Sequence, residues 1–251
     1  MKRILALLCA LVLSLGAFGF AAAEVGAATT PKYVFMFVGD GMGSPQVSAT
    51  QYYLGTLENP EATLPTPAAL SFTTFQNVGI MTTYDASSFC PDSASTATSM
   101  ASGQKTLSGV VNYNVDKTES FKLITEYAKE AGKKIGVIST VSLNHATPAA
   151  YYAKAESRNS YYDIAVQGLT GTTLDFIGGG NWNQPDGDGT QDNLFTLAEE
   201  NGFTVVDTAE EYAALSSESG RTLAINPDIA EDSAMMYEID RIRHAAEGDE
   251  S

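Results

Sequence analysis

Cysteine and histidine are both scarce in this 251-residue chain, with two of each, and only 14 basic residues stand against 30 acidic ones. The cysteine deficit excludes an internal disulfide framework. Cys9 falls within an apolar leader, so Cys90 stands alone and is expected to be a small buried packing residue. The deficit of positive charge gives a formal net charge of −16. Such a surface repels nucleic acid and anionic membranes, which excludes both as main partners. It also repels small anions at long range, so an anionic ligand would need a local positive site such as bound metal ions. His145 and His244 are the only histidines, which leaves the chain poor in a principal zinc ligand. Beyond the first two dozen residues there is no apolar run long enough to cross a bilayer.

The leader has Lys2 and Arg3, then an apolar stretch over 4–20, then Ala21-Ala22-Ala23 before Glu24. A charged start, an apolar middle and a small-residue cleavage site predict a secretory signal peptide over 1–23. The apolar stretch is short for a membrane anchor, and apolar residues continue past Cys9, unlike a lipoprotein signal. The product is therefore expected to be secreted or periplasmic, soluble and free of the membrane. Loss of Lys2 and Arg3 leaves 12 basic against 30 acidic side chains, a net charge of −18. Residues 24–251 suffice for one α/β domain with a substantial core.

Along that domain, apolar runs of strand length alternate with amphipathic stretches. Residues 33–38 (YVFMFV) read as a strand buried on both faces. It stops at GDGMG, and Ser44-Pro45 open a helix to about residue 54. Residues 74–84 read as another strand, and a helix runs from Ser93 to about Gly103. Helical spacing over 121–132 ends at Gly132, and KIGVIST over 134–140 is the next strand. A helix is expected over 148–158, with Thr147 as its cap. LDFI at 174–177 reads as a strand ending in three glycines. A helix near 191–201, a strand at 203–206 and a helix near 208–216 complete the alternation. The pattern predicts an α/β fold, with a mostly parallel sheet covered on both faces. In such sheets ligands bind at the carboxyl ends of the strands.

Three segments place chemistry at those ends. Asp40, between Gly39 and Gly41, suits a metal ligand whose backbone must turn sharply. Ser93 opens a helix, where the orphan N–H groups bind phosphate oxygens and the dipole favours an alkoxide. His145 and Thr147 could both point toward a metal, and Arg158 could clamp phosphate oxygens through its planar fork. Taken alone, each also has an ordinary structural explanation: an Asp-Gly turn, a helix cap, a loop histidine, a surface arginine.

Together, GDGMG, PDSASTATSMASGQKT and HATPAAYYAKAESR resemble the N-terminal signatures of the alkaline phosphatase family, in the same order and at comparable spacing. LDFIGGG and AMMYEIDR also look like the family, so the resemblance covers about residues 32–242. It implies a three-layer α/β sandwich and phosphate monoester hydrolysis with two zinc ions and one magnesium ion. Ser93 matches the nucleophile, which is held by zinc and becomes a phosphoserine. Asp40 matches an aspartate shared between zinc and magnesium sites, Thr147 a magnesium ligand, and Arg158 the phosphate-gripping arginine. Asp92 matches an acid that orients that arginine. His145 stands where some members carry aspartate and others histidine beside the third metal. Small phosphate monoesters are the implied substrates, and a homodimer is implied for a full-length member.

The departures lie toward the end of the chain. The family's remaining zinc ligands and a magnesium glutamate lie further along, and two histidines cannot reproduce that set. His244, in the charged IDRIRHAAEGDES segment, is expected to be exposed and not a ligand. The chain also ends soon after AMMYEIDR, which is read as a truncation. The resemblance thus implies the nucleophile-bearing half of the enzyme, inactive or weakly active alone. The alternative is a catalytically incompetent secreted fragment that retains partial phosphate or metal binding. A sulfatase is disfavoured, because Cys90-Pro91 lacks the Cys-x-Pro-x-Arg spacing. The acidic 186–192 stretch is not a calcium loop, lacking both the central glycine and the final glutamate.

Overall fold

The computed structural model describes residues 31–247, so the expected signal peptide at 1–23 lies outside the described residues. The chain divides into two compact units, one ending at Gly41 and one beginning at Met42. In the first unit, 33–38 forms no strand and its apolar side chains are exposed, Phe37 at 91%. This corrects the expectation of a doubly buried strand. A continuous apolar run becomes such a strand only where ladders flank it and cover lies on both faces, and this unit supplies neither.

The second unit opens with helix α1 (Ser44–Glu58). Pro45 falls near its start, where a missing N–H costs nothing. The Gln46 side chain accepts a hydrogen bond from the Gly43 N–H at 3.0 Å. The expected strand at 74–84 is also absent. A short 3₁₀ turn (Ser71–Thr74) leads into an irregular stretch where Val78 and Ile80 are exposed. Alternation of residue types does not hold a strand without a neighbour to pair with.

Helix α2 (Ser93–Ser102) follows the expectation closely, ending at Gly103 in the left-handed region (φ 74°) that stops a helix at low steric cost. Five of its residues are buried, among them Ala94, Ala97 and Ala101. The small side chains let it pack against α4 (Ala146–Ala149). Helix α3 (Ile124–Glu130) and strand β1 (Gly136–Ser139) come next, within their expected spans.

The expected helix over 148–158 is a correction. Only α4 forms, because the following backbone bonds elsewhere: Ala155 pairs with Val111 in both directions at 2.9 Å, and the Arg158 N–H donates to Gly109 O at 2.8 Å. The buried Asn112 side chain donates to Ala150 O and Ala153 O at 2.8 and 2.7 Å, taking carbonyls that a continuing helix would use. Tertiary pairing overrides local propensity here.

Helix α5 (Tyr161–Thr170), which the sequence reading passed over, precedes β2 (Phe176–Gly179). Then come α6 (Leu194–Glu200), β3 (Phe203–Val206) and α7 (Ala209–Ala214). Strand β4 (Arg221–Ile225) was also unanticipated, yet it lies inside the sheet. The order is β1-β2-β4-β3 and every pairing is parallel, so the α/β class holds. Val137, Ile177, Leu223 and Val205 align across the sheet in register. Ile164, Leu174, Ile177, Trp182 and Leu223 are fully buried around it.

The glycine run after β2 is required by close approach. Gly179 has φ +123°, and a Cβ there would lie 2.0 Å from Ser139 O. The last helix, α8 (Glu238–Glu247), covers what was expected to be a charged exposed tail, and His244 is partly buried on it.

Candidate functional site

The site is built around the start of α2. Asp92 is the N-cap, with extended backbone (φ −97°, ψ 175°), and its Oδ1 accepts from the Ser95 N–H at 3.0 Å. That satisfies one orphan donor of the first turn. Ser93 is therefore the first helical residue, partly exposed at the helix end where backbone N–H groups and the dipole favour negative charge.

The other Asp92 oxygen faces Arg158. Arg158 Nη1 donates to Asp92 Oδ2 at 2.9 Å, in an ion pair about three-quarters buried on each side. The guanidinium's second arm reaches back to α4: Arg158 Nη2 lies 2.9 Å from His145 Nε2. Guanidinium nitrogens only donate, so this His145 nitrogen is the acceptor. Two arms of one fork thus join residues far apart in sequence, and further N–H donors of the fork remain for an anionic ligand.

Burial alone would raise the Asp92 carboxyl. Donors from the Ser95 and Gly109 amides, Arg158 and the Ser95 hydroxyl outweigh it and hold Asp92 below its ordinary value. Asp92 therefore remains ionised beside the arginine.

Behind Asp92 lies a group that the sequence reading missed. Asp85 is 5% exposed and accepts from the Ser87 and Ser88 N–H groups at 2.7 and 2.6 Å. It also accepts from the Ser87 hydroxyl at 3.0 Å, the Ser108 hydroxyl at 2.6 Å and the Ser95 hydroxyl at 2.8 Å. Burial would raise this carboxyl too, but the hydroxyl and amide donors carry it far below the ordinary range. An Asp followed by small hydroxyl residues (Asp85-Ala86-Ser87-Ser88) was the available signal, since aspartate bonds its own backbone two and three residues on.

Cys90 is exposed, which corrects the expectation of a buried packing residue. The Ser88 hydroxyl accepts from the Cys90 N–H and donates to the Cys90 carbonyl, each at 3.0 Å. That fixes the backbone leading into Pro91-Asp92 and leaves the thiol outside.

The structure thus brings Asp92, Ser93, His145 and Arg158 together, with Thr147 partly exposed two residues from His145 on α4. Asp40 belongs to the other compact unit, where it is exposed in a turn with Gly41 at φ +66°. Among the described residues, no three His, Cys, Asp or Glu side chains converge to hold a metal ion. The donors present do not by themselves fit a zinc or magnesium centre, and the His145 nitrogen is engaged by Arg158. A metal held through that same nitrogen would have to replace this hydrogen bond.

A family profile described as alkaline phosphatase matches residues 31–178. Human tissue-nonspecific alkaline phosphatase is 37% identical over 142 residues, covering 53% of this chain and 26% of the human protein. Alkaline phosphatase 4 of Bacillus subtilis is 33% identical over 193 residues, covering 71% and 39%. Among solved structures, the enzyme of the Antarctic bacterium TAB5 aligns with a TM-score of 0.59 at 29% identity, covering 74% of this chain and 51% of that one. A TAB5 mutant with Mg bound in the M3 site aligns at 0.62 and 30% identity, covering 78% and 52%. A cold-active alkaline phosphatase from Shewanella aligns at 0.66 and 27% identity, covering 81% and 47%. The matched region thus spans about a quarter to two fifths of the curated relatives named here, and about half of these solved chains.

Proposed function

Because the chain belongs to the alkaline phosphatase family, we propose that the group at the start of α2 is the nucleophile and phosphate-gripping part of a phosphomonoesterase. One observation carries this reading: the Arg158 guanidinium is held between Asp92, the residue before Ser93, and His145. Arg158 would bind the non-bridging oxygens of a phosphate monoester through its remaining donors. The Ser93 oxygen would attack phosphorus while the ester oxygen departs with its electron pair, giving a phosphoserine and an alcohol. Water would then cleave the Ser93–phosphorus bond and release inorganic phosphate. The N-terminus of α2 favours negative charge on the Ser93 oxygen and on the phosphate.

Two zinc ions and one magnesium ion are proposed for the complete site, as the family resemblance implies. From this chain Asp40, Ser93, Thr147 and His145 would contribute. The described residues do not by themselves complete a metal centre. The same observation favours a second reading, in which these residues bind phosphate without turning it over. Secretion after cleavage at 1–23, and assembly as a homodimer for a full-length protein, belong to the proposal as well.

The two readings separate on one measurement. The full chain, incubated with p-nitrophenyl phosphate and zinc and magnesium salts, is digested and analysed by mass spectrometry. A phosphate adduct on Ser93, absent from Ser93→Ala, supports the enzyme. Phosphate binding without an adduct supports the binding reading, and even under the enzyme reading turnover is expected to be weak.

A further inference from the structure

Asp85 is a buried carboxylate that forms no salt bridge among the described residues. Five hydroxyl and amide donors surround it instead. Burying an uncompensated charge is costly, and holding a turn closed does not demand one. What distinguishes Asp85 is its neighbour. The Ser95 hydroxyl lies 2.8 Å from Asp85 Oδ2 and 2.9 Å from Asp92 Oδ1. A serine hydroxyl has one proton and donates to one of them at a time. The two carboxylates therefore compete for it.

We propose that Asp85 is a positioning residue for Arg158: by drawing the Ser95 proton to itself, it leaves the charge of Asp92 to the arginine. When the proton goes to Asp85, Asp92 keeps the Ser95 N–H and the Arg158 arm. When it goes to Asp92, part of that carboxylate's charge is satisfied by the hydroxyl and its pull on Arg158 falls. Asp85 reaches the arginine through Ser95 and Asp92. Ser108 tunes the competition, because its hydroxyl donates to the same Asp85 oxygen at 2.6 Å.

This mechanism fixes opposite signs for substitutions that a merely structural network would move alike. Asp85→Asn releases the Ser95 proton to Asp92, so Arg158 loosens. Ser95→Ala removes that proton altogether, so Arg158 tightens on Asp92. Ser108→Ala takes a competing donor from Asp85, which draws harder on Ser95, and Arg158 again tightens.

The test is 15N NMR of the arginine side chains in the full chain, reading the rotation rate about the Arg158 Cζ–Nη bonds, with Arg158→Lys giving the assignment. Asp85→Asn is expected to speed that rotation about threefold or more, the scale of one hydrogen bond. Ser95→Ala and Ser108→Ala are expected to slow it. Asp175→Asn, a carboxylate that bonds Lys129, Lys134 and the Ile135 N–H, controls for general loosening and should leave it unchanged. Faster rotation in all variants, or no change in Asp85→Asn, overturns the proposal. If Asp85→Asn fails to fold, the two serine variants decide by sign. The consequence for phosphate rests on the proposed function, and titration with inorganic phosphate should show Asp85→Asn binding about threefold more weakly. The NMR signal does not depend on turnover. An unlabelled Ser93 would therefore sink the enzyme reading and leave this coupling standing.

Discussion

Arg158 is gripped by two neighbours of different kinds, and its loss can be told apart from theirs. Asp92 does double service as the N-cap of α2 and the partner of Arg158. Asp92→Ala is expected to cost about 1–2 kcal/mol from the cap alone, read as a fall in the denaturant midpoint. Arg158→Lys keeps the charge but cannot reach both Asp92 and His145 with one planar fork. It should leave the midpoint within about 1 kcal/mol while weakening phosphate binding about tenfold; equal affinity would argue against the fork. Asp85 and Asp92 also set an acid limit. Both lie below their ordinary value when folded, so unfolding takes up protons as pH falls. Their contribution is complete well above the unfolded carboxylate value of about 3.9 and fades as pH drops below it toward the folded values. Thermal midpoints between pH 6 and 3 should fall more steeply for the parent chain than for Asp85→Asn, and parallel slopes would contradict this.

Among the elements, the short α4 and the loop after it matter more than their length suggests. Asn112 holds the backbone there: its side chain donates to Ala150 O and Ala153 O, and its N–H donates to the Thr98 hydroxyl on α2 at 2.9 Å. Asn112→Ala should leave two buried carbonyls unsatisfied and cost about 2–4 kcal/mol. Because this loop also delivers Arg158, the arginine NMR signal should broaden in the same variant, and an unchanged signal would detach the loop from the site. At the sheet, Gly179→Ala forces a Cβ to within 2.0 Å of Ser139 O at a φ that side chains rarely adopt. The β1–β2 pairing must open to admit it, and a loss above about 3 kcal/mol is expected in chemical denaturation.

At the scale of the whole chain, burial is uneven. The core gathers around α2, α4, α5 and the sheet, while Phe75, Val78, Ile80 and Met81 stay exposed. Hydrogen exchange should show 74–84 unprotected within seconds and β2 and β4 protected longest, since opening is cheapest where few apolar contacts are made. Comparable protection across both would contradict the described packing. The sequence by itself determined the α/β class, α2 with its Asp92-Ser93 start, a strand within 134–140 and the strand at 203–206; the strand expected at 174–177 formed two residues later, at Phe176–Gly179, and took in two of the glycines expected to stop it. These are local features, written in apolar runs, caps and glycine stops that need no distant partner to be read. It also named Ser93, Asp92, His145 and Arg158, through a motif resemblance that spacing alone would not have carried. Only the tertiary structure decided the rest. The runs at 33–38 and 74–84 did not become strands, because a strand exists only through its neighbours. The helix expected over 148–158 gave way to pairing with 109–112, more than thirty residues away in sequence. The hydrogen bonds from Ser95 to Asp85 and from Arg158 to Asp92 were invisible for the same reason: they run between segments that only folding brings together.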